Sequence, residues 1–70
     1  MKIYVKNPDK LRRFRIIKGY TQRDFAKQLR ITNVRLCQIE SVKDLSVSVK
    51  TANKIAQLLN VEWSDIFDFR

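Results

Sequence analysis

Seventy residues, 44% of them apolar, allow one small core at most, and a single Gly and a single Pro argue against an all-β chain full of tight turns. One Cys and no His exclude an intrachain disulfide and a Cys/His zinc site, and remove the commonest general base. The formal charge of +8 is uneven, with eleven Lys/Arg against two Asp/Glu in residues 1–35 and four against five in residues 36–70; this points to a polyanion partner, nucleic acid first and an acidic membrane surface or protein second.

In chain order, Ile3 and Val5 alternate with Tyr4 in KIYVK. This reads as a short extended N-terminal arm, either strand-like or frayed. Asn7-Pro8-Asp9 opens a first helix, with Asn7 as N-cap, Pro8 at the first helical position and Asp9 on the favourable end of the dipole. Leu11, Phe14 and Ile17 mark its apolar spacing, and Gly19 ends it in a left-handed conformation. Thr21 caps a second helix, with Asp24 completing an acidic capping box; Phe25, Ala26 and Leu29 form its buried stripe. Thr32 caps a third helix over about 33–41, whose inward positions are Leu36 and Ile39. Residues 41–47 read as a loop. Ser46 or Ser48 caps a fourth helix to about Leu59, with Val49, Ala52, Ile55, Ala56 and Leu59 on one face and Asn60 as a left-handed stop. A fifth short helix over about 62–67 closes the core with Trp63, Ile66 and Phe67, and Phe69-Arg70 run on as an extended tail. Without repeats, linker or low-complexity segment, residues 1–70 read as one domain.

The unit at 21–41 is a helix, a tight corner and a second short helix with a narrow apolar seam. Such a helix protrudes from its domain, and a protruding helix can enter a DNA major groove. TQRDFAKQL-R-ITNVRLCQIE resembles the helix-turn-helix of the phage-repressor-like (Xre/Cro type) DNA-binding family. The resemblance runs over about residues 11–67. It includes Leu11, Phe14 and Arg15, the junction Gly19-Tyr20-Thr21-Gln22, and Ala26 where two helices pack closely. It continues through Phe25, Leu29, Ile31, Leu36, Ile39 and Glu40, and through KIAQLLNVEWSDIF. Arg30 departs from it, standing where the family customarily has glycine. A left-handed Arg30 is expected, since Ala26 and Ile31 keep the packing spacing; the alternative is a slightly different turn that tilts the third helix.

The resemblance implies an all-α, compact five-helix lambda-repressor-like domain whose third helix lies in the major groove. Family members usually bind as a symmetric dimer on an operator of two half-sites. Carried over, Asn33, Val34, Cys37 and Gln38 fall where base edges are read; Asn and Gln can pair with adenine and Val34 can meet a thymine methyl. Gln22 and Thr32 fall beside phosphate, as does Arg35, for which a guanine is the alternative. Lys43, just past the third helix, is a phosphate candidate, with Lys10, Lys18 and Arg23. Arg15 and Glu40 are implied to form a structural pair joining the first and third helices. Cys37 is read as a small contact rather than a thiol switch, and Trp63 as an anchor rather than a ligand-stacking residue.

These readings lead to sequence-specific binding of double-stranded DNA by a transcriptional regulator, a repressor of the small kind found in phages, mobile elements and toxin–antitoxin loci. The expected setting is cytoplasmic and nucleoid-associated. No apolar run has transmembrane length, so no membrane role is expected. No cofactor and no metal are expected either, and the chain lacks a nucleophile–base pair and a phosphate-binding glycine loop, so it does not read as an enzyme. A homodimer, at least on DNA, would use Ile3, Val5, Trp63, Phe67 and Phe69. The competing use of those residues is pairing of the arm with 67–70 inside one chain. The alternative function is a protein-binding module, such as an antitoxin, an antirepressor or a partner of the transcription machinery.

Overall fold

The computed structural model describes residues 2–70. The elements run β1 (Ile3–Val5), α1 (Pro8–Ile17), α2 (Gln22–Leu29), α3 (Asn33–Ser41), β2 (Leu45–Val47), α4 (Val49–Leu59), α5 (Trp63–Ile66) and β3 (Phe67–Phe69). Five helices enclose one apolar core built on Leu11, Phe25, Leu36, Ile39, Ile55 and Leu59.

The all-α expectation needs correction. A three-stranded antiparallel sheet, in the order β2-β1-β3, closes one side of the bundle. The N-terminal arm is its central strand, pairing Ile3 with Val47 on one edge and with Phe69 on the other. The segment expected as a loop over 41–47 therefore contributes β2, and the fifth helix stops at Ile66 so that Phe67 can enter β3. Alternation in the arm has a plain cause: Ile3 and Val5 point into the core while Tyr4 faces outward and is half-buried.

Side-chain caps start three of the helices. Thr21, Thr32 and Ser48 accept the backbone N–H of Asp24, Arg35 and Thr51, each at 3.1 Å. Among the described residues Asp24 returns no side-chain bond, so only half of the expected capping box forms. Asn7 precedes α1 without a side-chain cap bond; its own N–H goes to the Ile66 carbonyl at 3.3 Å.

Three helices also end alike. After α1, α2 and α4 the chain turns through Gly19 (φ 84°), Arg30 (φ 59°) and Asn60 (φ 54°). In each case the next residue's N–H reaches back to the last turn: Tyr20 to Arg15, Ile31 to Ala26 and Val61 to Ala56. This is the six-to-one bond of a Schellman ending, and only one of the three uses glycine. Arg30 adopts the left-handed conformation at a cost of about 1–2 kcal/mol.

Helix α1 differs from its expected face. Ile17 is 75% exposed, and Arg15 takes the inward position. Ile17 lies six residues beyond Leu11, a rotation of about 240° at about 100° per residue, whereas Arg15 at four residues returns to the same face. Val49 is likewise exposed at the start of α4 rather than in its buried stripe.

Candidate nucleic-acid interface

Helix α3 is anchored along its whole length. At its start, the left-handed corner at Arg30 and the Thr32 cap set the direction of entry. Along its inner face, Leu36 and Ile39 are fully buried. Further along, Glu40 meets Arg15 of α1: Arg15 Nε donates to Glu40 Oε2 at 2.6 Å and a terminal nitrogen donates to Oε1 at 3.2 Å. The remaining terminal nitrogen of Arg15 donates to the Tyr20 carbonyl at 2.8 Å, so the one guanidinium also ties down the α1–α2 junction. The two side chains are only 10% and 2% exposed, which makes this a buried, forked ion pair.

The outer face of α3 carries Asn33, Val34, Cys37 and Gln38, all exposed. They lie together because steps of three and four residues return to one side of a helix. Ser41 continues the row and is exposed too; the 34-37-38-41 spacing contains it, although it is absent from the residues singled out above. Val34, at 70% exposure, is an apolar side chain with no partner on its own chain to cover it. Cys37 is a free thiol on this face.

The basic candidates divide by their surroundings. Lys18, Arg23 and Lys43 are exposed, and no ion pair forms at them among the described residues. Arg35 is fixed: one terminal nitrogen donates to the Ser46 carbonyl of β2 at 2.9 Å and the other lies 3.5 Å from Gln38 Oε1. Thr32 spends its hydroxyl oxygen on the helix cap. Gln22, half-buried at the start of α2, points its amide at Glu40 Oε1 over 3.5 Å. Lys10 stands apart from this group, since its ammonium lies 3.8 Å from Asp65 of α5 and over the Phe14 ring.

The loop behind α3 is held by the sheet. Asp44, itself left-handed at φ 63°, donates its N–H to the Val5 carbonyl at 2.8 Å. Arg70 reaches Asp44 at 2.5 Å and Asp68 at 2.9 Å, stacked over the Tyr4 ring. The hydrogen bond from Arg70 is the main force that lowers the Asp68 carboxyl below its usual range, and the same bonds, to Asp68 first and Asp44 second, raise Arg70.

Of the residues expected at a partner surface, Ile3, Val5 and Phe67 are buried in the chain's own core, at 4%, 0% and 1% exposure. Pairing of the arm with β3 places them there, and it is this intrachain use that the sheet realises. Trp63 is half-buried and Phe69 is 52% exposed. Both line an apolar groove with Val49, Ala56 and Val61 over the floor made by Ile3.

No group of three or more His, Cys, Asp or Glu is placed to hold a metal ion, and no helix is long and apolar enough to cross a membrane, both among the described residues. A capped helix, a left-handed corner and a second helix that shows a polar row to solvent define a helix-turn-helix domain. The family model described as Helix-turn-helix matches residues 11–66, most of the chain. The chain belongs to this phage-repressor-like (Xre/Cro type) helix-turn-helix family, whose members are in general DNA-binding regulators of transcription and typically not enzymes. No curated protein sequence matches the chain.

Proposed function

We propose that residues 1–70 act as one domain that binds double-stranded DNA sequence-specifically and represses transcription from a dyad-symmetric operator. The observation that carries this reading is the outer face of α3: an exposed row on a helix whose other side is locked by Leu36, Ile39 and the buried Arg15–Glu40 pair. A rigid helix with an unspent polar face is what direct readout requires. Asn33, Val34, Cys37 and Gln38 read base edges, with Ser41 at the rim. Lys18, Arg23 and Lys43 take phosphates as free cations. Gln22 and Thr32 contribute from the starts of α2 and α3, through backbone N–H groups that suit an anion. Arg35, tethered to β2, presents its remaining donors to the backbone, while Lys10 is a weaker phosphate candidate because Asp65 already engages it.

The active species on DNA is a homodimer. One module of this size buries only about 600–1,000 Å² on DNA, short of what tight specific binding uses. The two-fold contact uses Phe69 and Trp63 and the apolar groove they line, with Ile3 supporting it from beneath. Selection from random duplexes tests the reading. It should return a motif with dyad symmetry and half-sites about one helical turn apart, and affinity should fall steeply with salt. The same apolar groove favours one second reading, a protein-binding module with weak DNA affinity. No selected motif, together with a stoichiometric heterologous partner protected at Trp63 and Phe69, would replace the first reading by the second.

A further inference from the structure

A second groove, about 880 Å³ in volume, runs between the C-terminal end of α2 and the first turns of α4. Lys27 and Arg30 stand on one wall, Lys50 and Lys54 on the other, and no carboxylate lines it. Among the described residues none of these four cations forms an ion pair or donates a side-chain hydrogen bond. The contrast is internal: Asp9, Glu40, Asp44, Asp65 and Asp68 all neutralise cations elsewhere. Arg30 is also kept at a left-handed corner that a glycine would occupy without strain. No residue of α3 lines the groove, so it is separate from the face that reads DNA.

We propose that this groove binds an acidic peptide segment of a partner protein. The geometry selects among anions. A duplex presents a broad convex surface, which a cleft between two helices does not admit. Single-stranded nucleic acid is gripped by aromatic stacking platforms, and no aromatic side chain lines this groove. A free nucleotide fits enclosed, mainly apolar pockets, whereas this one is open and about as polar as it is apolar. A peptide matches what is present. Gln28, Asn53 and Gln57 offer carboxamides to a peptide backbone, and Leu29 and Ile31 give an apolar floor. From Lys50 to Gln57 the wall is about 10 Å long at about 1.5 Å per residue, enough for three or four residues of extended chain.

The test uses the full chain, isotopically labelled, with acetylated octaglutamate as probe and a duplex of random sequence as competitor. Octaglutamate should shift the amide signals of residues 27–31 and 50–57, and the shifts should persist when duplex is saturating. Lys50→Gln/Lys54→Gln should weaken octaglutamate binding at least fivefold. Its affinity for duplex should match that of Lys2→Gln/Lys6→Gln, which removes the same charge elsewhere. The proposal is overturned if octaglutamate shifts α3 and Lys43 instead and duplex displaces it. It is equally overturned if the groove variant loses more duplex affinity than the charge-matched control, which would make the groove a DNA backbone contact, or if no shift occurs.

Discussion

Arg15→Ala is expected to be the most damaging single truncation of a polar side chain in this chain. It deletes three hydrogen bonds, two to Glu40 at 2.6 and 3.2 Å and one to the Tyr20 carbonyl at 2.8 Å. Glu40, only 2% exposed at its side chain, would be left with the Gln22 amide at 3.5 Å as its side-chain partner. Breaking a buried pair from one side costs about 3–5 kcal/mol. For a domain of this size each 1 kcal/mol moves the melting temperature by roughly 4–8 °C, so a fall of about 12–40 °C is expected. Total stability at about 0.05–0.15 kcal/mol per residue is of the same order, so the loss is a large share of it. Arg15→Met/Glu40→Leu removes both charges and fills the space, so it should recover most of the loss. Urea unfolding of the wild type, Arg15→Met, Glu40→Leu and the double variant, with Arg15→Ala beside them, followed by far-UV circular dichroism and by Trp63 fluorescence, completes the cycle. A loss below about 1 kcal/mol in Arg15→Ala, or a double variant as unstable as the sum of the singles, would show that the pair does not fix α3.

Three further outcomes are expected. Arg30→Gly relieves the left-handed strain of about 1–2 kcal/mol but returns freedom to the unfolded chain; a net gain of roughly 0.5–1 kcal/mol should appear as a higher melting temperature in thermal scans. Gln38→Ala should relax preference at one base position in a selected site, whereas Lys43→Ala should weaken all duplexes alike and reduce the slope of log affinity against log salt by about 0.9, which fluorescence anisotropy across a salt series measures. Asp68 should titrate below the ordinary value near 3.8 because Arg70 hydrogen-bonds its charged form. Its folded value being the lower one, its stabilising contribution is complete above about that ordinary value and disappears as pH falls through the folded value. Carboxyl-detected NMR of Arg70→Gln should show Asp68 returned toward the ordinary range.

What was legible in the sequence was local chemistry. Thr21, Thr32 and Ser48 announce helix starts because the hydroxyl that caps is three residues from the amide it satisfies. Gly19 and Asn60 announce helix ends by the same short reach, and even Arg30 follows once Ala26 and Ile31 set the packing. The sheet was half legible: pairing of the arm with 67–70 is one of the two uses the sequence offers, whereas β2 is three residues long and its partner Ile3 lies far along the chain. Burial of Ile3, Val5 and Phe67 depends on pairing of the arm with β3, so without it the same residues also read as a free apolar surface. Ile17 misled for a simpler reason: steps of three residues drift round a helix, and the inward place belongs to a charged Arg15 that only its distant partner makes tolerable. The row on α3 followed from helical spacing, whereas the groove cations, split between Lys27-Arg30 and Lys50-Lys54, share a site only once α2 lies against α4.

The sheet does more than close the core, because it decides where α3 ends. Past Ser41 the chain must turn back, and Asp44 makes that turn in a left-handed conformation that Asp tolerates better than most non-glycine residues. Two partners hold it there: the Val5 carbonyl of the central strand and the Arg70 side chain at the end of β3. One residue further on, β2 begins, and its Ser46 carbonyl anchors Arg35 from the first turn of α3. The N-terminal strand, the C-terminal strand and α3 are thus joined through the segment that holds Lys43. Arg70 also neutralises Asp44, which would otherwise set a negative charge beside the lysine proposed to meet phosphate. The same strand carries Phe69 at its exposed edge, so a contact made there bears directly on the backbone that positions the loop behind α3. The partner contact proposed at β3 and the DNA contact proposed at α3 would therefore share one set of hydrogen bonds.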